Sequence, residues 1–86
     1  MNEPNENIVL KNRFDFALEI IRLYRTGQEN REYVMSRQLL RSGTSIGANI
    51  EEACAGQSRN DFIAKMCIAS KEARETHYWL RLLQAS

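Results

Sequence analysis

Residues 58–83, SRNDFIAKMCIASKEARETHYWLRLL, decide the fold class. No glycine or proline interrupts them. Phe62, Met66, Ala69, Ala73, Thr76, Leu80 and Leu83 recur at spacings of four and three, the a/d seam that helical bundles use. Ser58 is a good N-cap, and Asp61 three residues on stands in for the glutamate of a capping box and complements the helix dipole. The pattern predicts a helix over about 59–84. Ala64, Ile68, Trp79 and Leu82 form a second stripe roughly 120° away on the wheel. Two apolar faces imply two partners, and these four residues are candidates for a subunit interface.

Working outward, Gly56 separates this helix from another predicted over about 30–54. Its apolar stripe reads Met35, Leu39, Leu40, Gly43, Ile46, Gly47, Ile50, Ala53 and Cys54. Each glycine costs about 1 kcal/mol of helix propensity, so two of them on the buried stripe imply close approach of another helix backbone. Arg41, Ser45, Asn49 and Glu52 form a polar track on the other side. A first helix is predicted over about 9–26, its apolar residues Phe14, Phe16, Ala17, Leu18, Ile20, Ile21, Leu23 and Tyr24 covering roughly 220° of the wheel. Asp15, Glu19, Arg22 and Arg25 share its solvated face, Glu19 is placed to pair with Arg22, and Gly27 is expected to stop the helix. Nowhere do residues alternate as in a strand. The expected fold is all-α: one domain over 1–86, an up-and-down four-helix bundle of which this chain holds three long helices. The wide apolar faces would be completed by a fourth helix outside these residues, by other subunits, or by both.

The 86 residues are 43% hydrophobic and 27% charged, ordinary for a folded soluble domain, but at this size burial is limited and broad helix faces need partners. No stretch has the roughly 18 apolar residues of a membrane span, and the start carries acidic residues where a signal peptide needs basic ones, so a cytoplasmic location is expected. Cys54 and Cys67 have no CxxC or Cys/His partners and are expected to be buried as small hydrophobes. Net charge is only +1, from 12 basic and 11 acidic residues, and residues 11–50 hold an excess of basic over acidic groups. Nine of the basic residues are arginine, which suits bidentate phosphate recognition and interhelical ion pairs alike.

The stretch from Ser36 to Leu83, SRQLLRSGTSIGANIEEACAGQSRNDFIAKMCIASKEARETHYWLRLL, resembles the bacterial four-helix-bundle family of 23S rRNA intervening sequence proteins. The accessory variability determinant of diversity-generating retroelements is related to that family. The shared signature is S-I-x-x-N-I-x-E, here Ser45, Ile46, Asn49, Ile50 and Glu52, followed by Gly56 and a long helix from Asp61 containing Ile68, Ala69, Ala73 and Glu75. The resemblance implies a four-helix bundle assembling as a homopentamer. For the retroelement branch it implies binding of nucleic acid and a reverse transcriptase through a basic surface. This chain is nearly neutral where that branch is basic.

Catalytic chemistry is not supported. Gly43-Thr44-Ser45-Ile46-Gly47 lacks the GK[ST] ending and preceding strand of a phosphate loop and falls mid-helix, where helix packing explains it better. The single His77 is preceded at the di-metal spacing by Arg74, so neither a metal nor any other cofactor is expected. His77 would have to serve Ser42, Thr44 and Ser45 alike in any triad. Glu51 and Glu52 are adjacent on a helix, point about 100° apart and cannot share a substrate. Glu52 is expected to pair with Arg41, Arg74 or Arg81. The chain therefore acts by association. In one reading Arg22, Arg25, Arg37, Arg41, Arg74 and Arg81 on the surface of a homo-oligomer meet RNA or DNA phosphates. In the other, the same surfaces serve only self-assembly or a protein partner, with Tyr24, Tyr33, Tyr78 and Trp79 packed at helix or subunit contacts.

Overall fold

The structure, a computed structural model, describes residues 4–56 and 58–85, with side chains from residue 12 onward. The acidic Glu3 and the terminal Ser86 lie outside the described residues. Three helices account for nearly all of the described chain: α1 (Pro4–Glu29), α2 (Tyr33–Ala55) and α3 (Arg59–Ala85). The all-α expectation holds, as a three-helix arrangement.

The start of α3 follows the sequence: Ser58 Oγ accepts the Asp61 N–H at 3.1 Å, the N-cap bond that its hydroxyl is suited to make. The end of α1 does not. Gly27 lies inside the helix, and the chain turns three residues later. There the Glu32 N–H donates to the Gly27 carbonyl at 2.8 Å and the Arg31 N–H to the Gln28 carbonyl at 3.1 Å, the bond pair of a Schellman motif. Arg31 occupies its left-handed position with φ 63°. Gly27 is needed for another reason. A Cβ there would lie 2.5 Å from Ser36 Cβ, so its absence lets the first turn of α2 close against α1.

The helices run up, down and up. Gly27 meets Ser36, and Arg13 reaches Glu51, which makes α1 and α2 antiparallel. Ser42 meets Thr76 and Glu52 meets Lys65, which does the same for α2 and α3. α2 packs against both neighbours, whereas α1 and α3 do not approach each other. Among the residues whose side chains are described, the buried apolar ones are Ile20, Leu39, Ala53 and Ala69. Gly43 opens space for Ile20, since a Cβ there would stand 2.8 Å from two Ile20 carbons. The approach predicted from the two glycines is thus a side chain at Gly43, whereas a Cβ at Gly47 would make only ordinary contacts, 3.8 Å from Arg13 Cβ and 3.9 Å from the Arg13 carbonyl.

The seam of α3 is rotated from its predicted position. Ala69 and Thr76 are buried, but Phe62, Met66 and Ala73 are exposed, and Glu72 takes a buried place. The cause is that α3 packs on the polar track of α2, not on an apolar stripe. Cys54 and Cys67 are both exposed, contrary to expectation.

Candidate nucleic-acid interface

The up-down-up topology sorts the charges. Because Gly27 is level with Ser36 and Ser42 with Thr76, residues 19–44 and 74–85 share one end of the molecule. These stretches hold seven arginines (Arg22, Arg25, Arg31, Arg37, Arg41, Arg74 and Arg81) against four glutamates and no aspartate. That end carries +3, and the remainder of the chain −2. Sequence blocks read one after another cannot reveal this, because the arginines come from three separate helices. Arg31, in the turn between α1 and α2, was missed as a candidate for the same reason.

All six predicted arginines are exposed. Arg22 pairs with Glu19, as its spacing predicted. Arg41 is committed to the α2–α3 interface: it bridges Glu72, at 3.2 Å, and Glu75, while its Nε donates to Gln38 Oε1 at 3.2 Å. The side chains of Arg25, Arg37, Arg74 and Arg81 make no ion pair or hydrogen bond with another described residue. Four guanidinium groups at one end therefore have no carboxylate partner among the described residues.

The α2–α3 interface is a chain of polar contacts. Thr76 Oγ1 lies 2.9 Å from Ser42 Oγ and 2.8 Å from the Glu72 carbonyl, and Ser42 Oγ lies 2.9 Å from the Gln38 carbonyl. Each hydroxyl has one proton, so the pair is satisfied with one donating to the other and the second proton going to a carbonyl. Ser42 is fully buried here. Asn49 Nδ2 donates to the Ser45 carbonyl at 2.8 Å and to Ser45 Oγ at 3.0 Å. Glu52 pairs with Lys65 at 2.9 Å and not with an arginine, because the antiparallel register puts Lys65 opposite it. The hydrogen bond and charge of Glu52 raise the Lys65 pKa above its ordinary value. Ile46 and Ile50 are half-buried on α2, and Gly56 forms the tight link to α3.

Trp79 is half-buried and donates its indole N–H to Glu75 Oε2 at 2.9 Å. Its ring meets Tyr78 edge-on, with centroids 5.4 Å apart and planes at 64°. Tyr78 itself is exposed. Of the other proposed interface residues, Ala64 and Ile68 are exposed and Leu82 is half-buried.

One buried cation escaped the sequence reading. Arg13 lies seven residues before Ile20 on the line of α1 that faces α2, and its side chain is 7% exposed. Nη2 stands 3.8 Å from Glu51, Nη1 is 3.9 Å from Cys54 Sγ, and Nε and Nη2 have no hydrogen-bond partner among the described residues. Its position two turns from Ile20 was the available signal. Among the described residues no group of His, Cys, Asp and Glu could hold a metal, and no helix is long and apolar enough to cross a membrane.

An antiparallel layer of three helices with an arginine-rich end places the chain among small all-helical domains. The chain belongs to the 23S rRNA-intervening sequence protein family, whose pattern matches residues 5–86. A similar solved structure is that of a protein of unknown function from the S23 ribosomal protein family of Bacteroides thetaiotaomicron VPI-5482. It is 58% identical, the match covers 87% of this chain and 70% of that one, and the TM-score is 0.83. No curated protein matches the chain.

Proposed function

We propose that this chain is a non-enzymatic, cytoplasmic subunit of a homo-oligomeric four-helix bundle that associates with RNA or DNA through its arginine end. The observation that carries the reading is the gathering of Arg25, Arg37, Arg74 and Arg81, all exposed and unpaired among the described residues, at an end of net charge +3. Repetition around an oligomer, a pentamer by the family resemblance, multiplies a patch too small to hold a polyanion alone. Room for a fourth helix is consistent with the open side of the layer. Phe16 and Ile46 line a hollow of about 350 Å³ there, and Leu23 and Leu83 one of about 430 Å³.

A second reading, a scaffold for self-assembly or a protein partner, draws on the exposed Phe14, Val34, Ile63 and Ile68. Salt separates the two. Fluorescence anisotropy with labelled single-stranded RNA is expected to give an affinity that falls linearly with salt on a log–log plot, by about 0.7 per phosphate contacted. Replacing Arg37 and Arg81 with glutamine is expected to flatten that slope. No uptake of RNA at low salt would refute nucleic-acid association and leave the scaffold.

A further inference from the structure

We propose that Tyr78 is a stacking platform for an unpaired base, with Arg74 and Arg81 holding the phosphates on either side, so that the arginine end takes a single strand and not a duplex. This rests on the nucleic-acid reading above and specifies its ligand.

Lys71, Arg74, Tyr78 and Arg81 follow one another at three, four and three residues, which places them in one line along α3. All four are exposed, and no carboxylate belongs to the line. At 1.5 Å per residue Arg74 and Arg81 are about 10 Å apart along the axis, with the tyrosine ring between them. A hollow of about 420 Å³, lined by Tyr78, Arg81, Leu82, Gln84 and Ala85, adjoins the ring. Leu82 and Ala85 offer apolar contact for the face of a base, and the Gln84 amide is able to donate and accept at its edge.

The ring is exposed and also held. Tyr78 is 54% exposed, yet Trp79 braces it edge-on, Glu75 fixes the Trp79 indole, and Arg41 fixes Glu75 while reaching the buried Glu72. An exposed aromatic anchored through four residues to a helix interface loses little freedom when a base stacks on it. A duplex hides the faces of its bases, whereas stacking on an aromatic flanked by cations is how single strands are bound without sequence readout.

The test uses the full chain, labelled single-stranded RNA and DNA oligomers and a duplex of the same sequence. Tyr78→Ala is expected to weaken single-strand binding by about 10-fold with an unchanged salt slope, and Tyr78→Phe to retain it. Arg74→Gln with Arg81→Gln is expected to lower the slope by about 0.7 per arginine. Far-UV circular dichroism checks that each variant is folded. Binding of either the RNA or the DNA strand in preference to the duplex supports the platform. If Tyr78→Ala binds single strands as wild type does while the arginine variants lose affinity, the platform is wrong and the arginine end stands. A duplex bound as tightly as the strand also overturns it. If the wild type binds none of the three at low salt, the underlying nucleic-acid reading fails with it.

Discussion

Replacing Arg41 with methionine tests whether the α2–α3 interface is held by its charges. Methionine keeps much of the length of the side chain and removes its donors to Glu72, Glu75 and Gln38. The Glu72 side chain is 11% exposed, so its carboxylate would be left nearly buried without a cationic partner. Breaking a fully buried ion pair costs about 3–5 kcal/mol and breaking an exposed one about 0–1 kcal/mol. Arg41 is half exposed, which places the expected loss between these, at about 2 kcal/mol. The double variant Arg41→Met with Glu72→Met removes both charges and leaves apolar groups of similar size. It is expected to return to within about 1 kcal/mol of wild type, since a buried pair replaced as a whole is nearly neutral. Urea denaturation followed by far-UV circular dichroism measures this, at one protein concentration because association shifts apparent stability. With a urea m-value of about 1 kcal/mol/M, the lower limit for small proteins, the single variant's midpoint falls by about 2 M. A single variant as stable as wild type, or a double variant less stable than the single, refutes the reasoning.

Gly27→Ala gains about 1 kcal/mol of helix propensity but forces a Cβ to within 2.5 Å of Ser36 Cβ, so a net loss of about 1–2 kcal/mol is expected in the same denaturation assay. Adding Ser36→Gly removes the collision and should make the pair strongly non-additive; a stabilising Gly27→Ala would refute the close approach. Ile68→Asp, on an exposed site, is expected to change stability by less than about 1 kcal/mol yet lower the particle mass seen by light scattering. Unchanged mass would remove Ile68 from the subunit interface. Ile46→Asp, at a half-buried site on α2, is expected to cost more stability, and equal losses for the two would contradict the assignment.

Helix identity was legible in the sequence because it depends on local periodicity and caps. The uninterrupted run after Ser58, its N-cap bond to Asp61 and the Glu19–Arg22 pair all form within a turn or two of chain. The helix ends were less legible. Gly27 looked like a stop because glycine commonly occupies the left-handed position at a helix end. Here Arg31 adopts that conformation, and Gly27 makes room for a neighbour. The heptad seam of α3 misled for a related reason. Periodicity identifies an apolar line, but Phe62 and Met66 stay exposed where no helix among the described residues covers that line.

The sequence by itself determined that the chain is all-helical, where its helices lie to within five residues, and to which family it belongs. These properties follow from side-chain period, capping and a local signature. Only the tertiary structure decided which charges meet. The antiparallel register placed Lys65 and not an arginine on Glu52, tied Arg41 to Glu72 and Glu75, and buried Arg13 beside Glu51. It also brought arginines from three helices to one end and left Tyr78 exposed against a braced Trp79. Coulombic and stacking contacts depend on distances in space, and between residues on different helices those distances are set by packing and register, which no local pattern encodes.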